Sequence, residues 1–303
     1  MQYLKQNGGY LEIIKNALRK ELYALTQNPR AKLSVDSILK DILNDIAELR
    51  SQIQFYNNIK TSEIQETMIK AAADLISEET PNYQYVAGRL VNYHLRKEIY
   101  GTYDPWPIYK LVKYNVELGF YDSDLLKVYT EEEWNELDQA IDHQRDENFT
   151  YEAMEQWRGK YLVQNRVTGQ IFETPQMAYM LIAATLFQNY PKETRLQWIK
   201  DYYNAVSNHD ISLPTPIMAG VRTPQKQFSS CVLIETDDSL DSINATAGSI
   251  VRYVSQKAGI GIGAGRIRAL GSPIRNGDAY HTGVIPFYKH FQSATRSCSQ
   301  GGV

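Results

Sequence analysis

Apolar positions recur at helical spacing along the first two-thirds of this chain, and the pattern changes character only after residue 226. The segment 33–49 places Val35, Ile38, Leu39, Ile42, Leu43 and Ile46 on one stripe, with Ser34 or Asp36 as its cap. Segment 61–77 puts Ile64, Met68, Ala71, Ala72 and Leu75 on one face, and Ser62 with Gln65 three residues on predicts a capping box. A third helix is predicted over 82–101, from an Asn82 cap to Gly101, with Arg96 and Lys97 in its last turn, where cations suit the helix dipole. DPWPIY at 104–109 breaks the run, and helices resume to about residue 160. YLVQNRVTGQIFE (161–173) alternates and turns at Thr168-Gly169, as a β-hairpin would, and two more helices are predicted over 175–206. DISLPTPIMAGVRTP (210–224) predicts an apolar, non-helical connection, because Pro214, Pro216 and Pro224 disfavour helix.

From there the pattern becomes β, then α. A strand is predicted over Gln227–Glu235, then a helix capped by Asp238 or Ser239. Its apolar stripe is Leu240, Ile243, Ala247, Ile250, Val251 and Val254, and Gly259 is placed just past its end. AGIGIGAGRIRALGSPIR (258–275) predicts a flexible glycine loop carrying Arg266, Arg268 and Arg275. Gly259, Gly261 and Ala264 formally fit G-x-G-x-x-G/A, but that dinucleotide fingerprint needs a strand before it and a helix after it, and here a helix precedes. Arginine forks on a glycine-rich backbone suit phosphate groups, and a solvated surface loop is the plain alternative. The fold class is therefore mixed α/β, mainly helical at first, then a β–α alternation too short to close a sheet or a barrel.

Composition narrows the function without naming it. The chain has 303 residues, 43% of them hydrophobic and 22% charged, which is ordinary for a globular protein. A net charge of −3 argues against a broad nucleic-acid surface. No apolar run approaches the roughly 18 residues of a membrane span, and the N-terminus lacks a secretory h-region, so a cytoplasmic location is expected. His94, His143, His209, His281 and His290 show no metal-ligand spacing, and no C-x-x-C, Walker A or G-x-S-x-G pattern occurs, so no metal is expected. Only two cysteines are present, too few for a disulfide framework. In a reducing compartment a lone cysteine is either buried filler or chemistry. Cys231 lies in SSCVLIETDDSL (229–240), in a strand just before a helix cap, and Cys298 lies in SCSQGGV (297–303), whose glycines and small polar groups suit an adaptable loop.

These pieces together resemble the large (alpha) subunit of class I ribonucleotide reductase. The matching stretches are NYQYVAGRL, KYLVQNRVTGQIFET, ISLPTPIMAGVRTP, QFSSCVLIE, DSLDSINATA, SQKAGIGIGAGRIRALGSPIR, HTGVIPFYKHFQ and SCSQGGV. They extend through most of residues 50–303 and are densest beyond residue 160. The resemblance implies an ATP-cone-like helical module over 1–101, a mainly helical domain with one hairpin over 102–220, and over 221–303 the first part of the family's ten-stranded α/β barrel. It implies that Cys231 is one thiol of the pair that delivers two electrons as the ribose 2′-hydroxyl leaves. Thr215 and Ser230 match positions that bind the substrate's diphosphate and ribose region. Asp238, Ser239, Leu240, Arg268 and Arg275 match the allosteric specificity site for a deoxynucleoside triphosphate. The helix after Ser239 then forms a dimer interface, and the loop through Cys298, Ser299 and Gln300 reports effector identity to the substrate base. Lys5, Thr61, His94 and Lys97 match the activity site, where ATP and dATP compete. Its opening, Lys5-Gln6-Asn7-Gly8, matches loosely, and residues 10–47 do not align cleanly. No covalent cofactor is implied, and a di-iron tyrosyl radical is expected on the partner small (beta) subunit.

In the family the radical-forming cysteine, the second reducing thiol, an active-site carboxylate, an Asn, the radical-path tyrosines and a C-terminal thiol relay all lie downstream of SCSQGG. The expectation is thus the N-terminal part of a ribonucleoside-diphosphate reductase large subunit, active only with a second chain carrying the rest, as in a naturally split subunit. The expected partners are that C-terminal portion, the small subunit, a second copy of the large subunit, and thioredoxin or glutaredoxin acting through the C-terminal portion. Neither nucleic acid nor membrane is expected. The alternative is a non-catalytic nucleotide-binding module or remnant that dimerises through the helix at 239–258, and a laboratory truncation is a third reading. The match at Cys231, Thr215, Ser230 and both arginines favours the enzyme. An open strand edge predicts poor solubility for the isolated chain.

Overall fold

The structure, a computed structural model, describes residues 60–256 and 258–298. The helix expected over 33–49 and the candidates Lys5, Ser299 and Gln300 lie outside those residues. The chain divides into two compact units, one of residues 1–213 with 222–224, the other of residues 214–221 with 225–303.

The described part of the first unit is helical: α1 (Thr61–Asp74), α2 (Tyr83–Tyr100), α3 (Ile108–Glu117), α4 (Asp124–Val128), α5 (Glu131–Asp138), α6 (Tyr151–Gln156), α7 (Pro175–Phe187) and α8 (Lys192–Ser207). α7 is its centre. Every residue from Pro175 to Thr185 is buried, as expected for a helix that is apolar on all sides. Its long polar side chain, Gln176, is satisfied: its amide donates to Asp146 Oδ1 at 3.0 Å, and its oxygen accepts from Tyr203 and Ser207. α8 covers α7 with Ile199, Tyr203 and Val206, while α2 packs against α1 and α6. Gly88 permits the α2 contact, since a Cβ there would lie 2.4 Å from the Phe149 carbonyl oxygen.

A buried ion pair fastens the segment around the expected hairpin. Glu173 and Arg222 are both fully buried. Arg222 Nε donates to both Glu173 oxygens at 2.8 and 3.1 Å, and its Nη2 donates to the same carboxylate. Tyr121 Oη and the Val163 backbone N–H donate to it as well, at 2.6 and 2.7 Å. The hairpin itself is reduced to one bridge, Gln164 to Ile171, closed at Gly169, whose φ is +77°.

The second unit holds α9 (Thr215–Gly220), β1 (Cys231–Glu235), α10 (Leu240–Ser255), β2 (Gly259–Gly263), the short antiparallel pair β3 (Pro273–Ile274) and β4 (Ala279–Tyr280), and α11 (Ile285–Cys298). β1 and β2 pair in parallel, Cys231 opposite Gly259 through Glu235 opposite Gly263. α10 and α11 cover one face of this ribbon. Ile243, Ala247, Ile250 and Val254 meet Ala264, Ile267 and Phe291 there, with Ile260 and Ile262 packed against them.

Several expectations are corrected. Residues 259–263 form a strand rather than a flexible loop. β1 supplies every β2 residue with a partner, and the isoleucines between the glycines have a core to enter. Gly259 therefore opens β2 instead of ending α10, whose C-cap is Gln256. Residues 215–220 are helical despite their prolines, because Pro214 is the N-cap and Pro216 falls in the first turn, where no backbone N–H is needed. The strand begins at Cys231, four residues later than Gln227. Ser62 and Gln65 form no capping box: α1 starts at Thr61, Lys60 is the N-cap, and Gln65 bonds His94 instead. Asn82 is an N-cap by position with no side-chain bond. Leu240 and Val251 are exposed at 76% and 41% rather than part of the buried stripe.

Candidate functional site

The register of β1 on β2 builds one unusual face. Cys231, Leu233 and Glu235 are exposed on it, and the residues opposite them are Gly259, Gly261 and Gly263. A Cβ at Gly261 would lie 2.7 Å from Leu233 Cδ2, and one at Gly263 would lie 2.6 Å from Glu235 Oε2. At Gly259 the distance to Cys231 Sγ would be 3.8 Å. The glycine spacing thus keeps the floor beside the thiol bare, while the alternate isoleucines anchor the strand from below. A thiol at the start of a paired strand is rigidly held and open to a ligand. Ser230 precedes it, exposed, and its carbonyl accepts from Gly259 N–H at 2.8 Å. Thr215 is exposed at the first residue of α9, and Gly220 at the other end of that helix is close enough to Phe228 that a Cβ would lie 3.6 Å from its ring.

At the other end of β1 the turn 236–239 collects charge. Ser239 is the cap of α10, accepting from Ser242 N–H at 3.1 Å, and Ser242 Oγ in turn accepts from Asp237 N–H. Asp238 accepts from the Arg268 backbone N–H at 3.1 Å and from Arg268 Nε at 2.5 Å. That backbone bond, with the guanidinium behind it, holds the Asp238 carboxyl below the usual range. So the structure joins two of the expected effector ligands to each other. Leu240 lines a cavity of about 380 Å³ with Ile243, Asn244, Pro286, Phe287 and His290. The last three lie in HTGVIPFYKHFQ, a matching stretch to which no role had been given. Arg275 stands in the turn after β3 with φ +51°, exposed, and makes no ion pair among the described residues. Cys298 is not in an adaptable loop: it is the last residue of α11, half-buried, because that helix continues to pack on the core cluster.

The activity-site candidates within the described residues differ in exposure. Thr61 is exposed at the start of α1 and Lys97 is exposed with its Nζ over the Tyr93 ring. His94 is buried. Its Nδ1 is 2.7 Å from Gln65 Oε1, and its Nε2 is 3.3 Å from Glu66 Oε1. Burial, and then the Arg158 charge, push its pKa down. Among the described residues no cluster of histidine, cysteine and carboxylate is placed to hold a metal, and no helix is long and apolar enough to cross a membrane.

Comparison with known families assigns most of the chain. Residues 3–98 match the ATP cone domain, 147–226 the ribonucleotide reductase all-alpha domain, and 229–303 the ribonucleotide reductase barrel domain. The ATP cone match extends across residues 10–47, the segment expected not to align cleanly. The ribonucleoside-diphosphate reductase 1 subunit alpha of Escherichia coli (strain K12) is 66% identical over 256 residues, 84% of this chain and 34% of that protein. The alpha subunit of Buchnera aphidicola subsp. Schizaphis graminum is 58% identical over 297 residues, 94% and 39% respectively. That of enterobacteria phage T4 is 52% identical over 261 residues, 86% and 34%. The chain spans about a third of the length of the curated relatives it matches. It belongs to the ribonucleotide reductase large (alpha) subunit family and corresponds to the N-terminal part of its members.

Proposed function

We propose that this chain does the work of the first third of a ribonucleoside-diphosphate reductase alpha subunit. The observation that carries the reading is Cys231, exposed at the head of β1 beside a floor of glycine. Reduction replaces the ribose 2′-hydroxyl by hydrogen. The hydroxyl leaves as water, and two thiols supply two electrons and become a disulfide. Cys231 is one of these thiols. The second thiol and the radical-forming cysteine come from large-subunit sequence that the relatives carry beyond the matched third, whether in one polypeptide or in a second chain. Thr215 and Ser230 bind the diphosphate and ribose region of the substrate.

Asp238, Ser239, Leu240, Arg268 and Arg275 form the specificity site for a deoxynucleoside triphosphate, and the ATP cone region is a further nucleotide site. The exposed Leu240, Val251 and Tyr253 on α10 are the surface that a second copy covers. The small subunit supplies the radical, and its di-iron centre belongs to that partner. Thioredoxin or glutaredoxin regenerates the thiols through the C-terminal relay.

The test joins this chain with the remaining two-thirds of an alpha subunit and with a beta subunit, and measures cytidine diphosphate reduction. Turnover is expected, and Cys231→Ser should abolish it while deoxynucleotide binding persists. Turnover that survives in Cys231→Ser would sink the assignment. Nucleotide binding without turnover in the unaltered protein would leave the non-catalytic binding module.

A further inference from the structure

We propose that Arg266 is a positioning residue that couples the effector turn to the strand bearing Cys231. The proposal rests on the reading of Asp238 and Arg268 as effector ligands. Arg266 Nη1 donates to Asp237 Oδ1 at 2.8 Å, and its Nε lies 3.4 Å from Glu235 Oε1. Two residues on, Arg268 holds Asp238. Two arginines of one loop therefore grip two consecutive aspartates of the turn after β1, and of the two only Arg266 also reaches back onto the strand. It does so at Glu235, which shares the face of Cys231 and lies over Gly263.

The geometry makes the two grips interdependent. A triphosphate competes with Asp238 for the Arg268 guanidinium, since both are anions seeking the same charge-assisted bonds. Arg268 cannot turn its guanidinium fully toward a phosphate while its Nε stays on Asp238. When it turns, Asp238 is released and the exposed turn at Asp237 and Asp238 relaxes, so the hold of Arg266 on Asp237 and Glu235 shifts while Ala264 and Ile267 stay in the core. β1 is paired with β2 from end to end, and Thr236 N–H continues the ladder to Gly263 O at 2.9 Å. A change in tension at Glu235 is therefore passed along a stiff ribbon to Cys231. The Arg266 pairs are exposed, and exposed pairs add little to stability. Losing them should leave the fold intact and disturb only the coupling.

Iodoacetamide labelling of the chain, with peptide mapping to separate Cys231 from Cys298, reads this directly. Saturating deoxythymidine triphosphate should change the Cys231 labelling rate by about fivefold or more, the lower end of ordinary coupling between sites. Arg266→Gln should still bind the nucleotide, its affinity shifted by no more than about the fivefold coupling itself, and melt at the unchanged temperature, yet show no change in labelling. Arg266→Lys, which keeps one charged donor, should restore part of the response. A full response in Arg266→Gln overturns the proposal, and so does a Cys231 rate in the unaltered chain that ignores bound nucleotide. Failure of the unaltered chain to bind any deoxynucleoside triphosphate overturns the specificity site itself, and the binding isotherm distinguishes that outcome from the others.

Discussion

Glu173→Gln is the sharpest test of how the first unit is held. The change keeps the shape and one acceptor oxygen but removes the charge. In the structure the carboxylate receives Arg222, Tyr121 Oη and Val163 N–H together, with no exposed surface on either ion. After substitution an amide NH₂ faces these donors, and the Arg222 guanidinium loses its counter-charge inside the protein. Breaking one side of a buried pair costs about 3–5 kcal/mol, far more than the net worth of the intact pair. For a unit of this size that corresponds to a fall in Tm of roughly 6–20 °C. All four tryptophans, Trp106, Trp134, Trp157 and Trp198, lie in the first unit, so urea unfolding followed by their fluorescence reports it alone. Asp124→Asn provides the contrast, because its pair with Lys127 is exposed at 55% and 68%. No measurable change is expected there. If Glu173→Gln costs no more than Asp124→Asn, the argument from burial is wrong.

Four further outcomes are expected. Burial pushes the Asp146 carboxyl up to about 7, against the pull of Arg96 and Gln176. The folded state then holds a proton that the unfolded chain has lost, so this stability is complete below about pH 4 and is lost as pH rises through about 7. The stability of the native chain relative to Asp146→Asn should fall by on the order of 4 kcal/mol across that window, as read by urea titration. His143 slopes the other way: burial and the Arg96 charge push it down to about 4, so its contribution is present above about pH 6.5 and lost toward pH 4, and His143→Gln should remove that acid loss. Gly88→Ala should destabilise the first unit by about 1–3 kcal/mol because its Cβ meets backbone, whereas Gly159→Ala meets nothing within 4 Å and should melt unchanged. In the unaltered chain without nucleotide, iodoacetamide should label exposed Cys231 faster than half-buried Cys298; the reverse order would contradict the placement of α11.

What was legible in the sequence follows the range of the forces involved. Helical periodicity is local, so α1 and α10 are legible in their apolar stripes, whereas α7, apolar on all sides, offers none. Gly101 was read correctly as the end of α2, where its φ of +75° is cheap only for glycine. The strand Gly259–Gly263 was hidden because alternate glycines carry the same local signal as a turn. Only the partner strand, 28 positions away by register, reveals that each glycine faces a β1 side chain. The Glu173–Arg222 pair was invisible for the same reason, its members being 49 residues apart. At the candidate site, spacing alone left Cys231 ambiguous between filler and chemistry. The resemblance supplied its role, and the structure supplied the bare floor beside it. Gln65 misled: as a residue three past Ser62 it resembled a cap, but a buried histidine on the next helix claimed it.

The central helix α7 has no wet side, and that bears on how this chain can vary over generations. A surface helix offers positions where a substitution is almost free, and drift collects there. From Pro175 to Thr185 no such position exists, since every side chain is closed in by neighbours. In a saturation library these residues should tolerate only near-isosteric replacements, one at a time. The outer face of α8, with Lys192, Glu193, Gln197 and Asp201 exposed, should absorb most changes without loss. The two helices are joined by four residues, 188–191, and pack side by side, yet they should run on different evolutionary clocks.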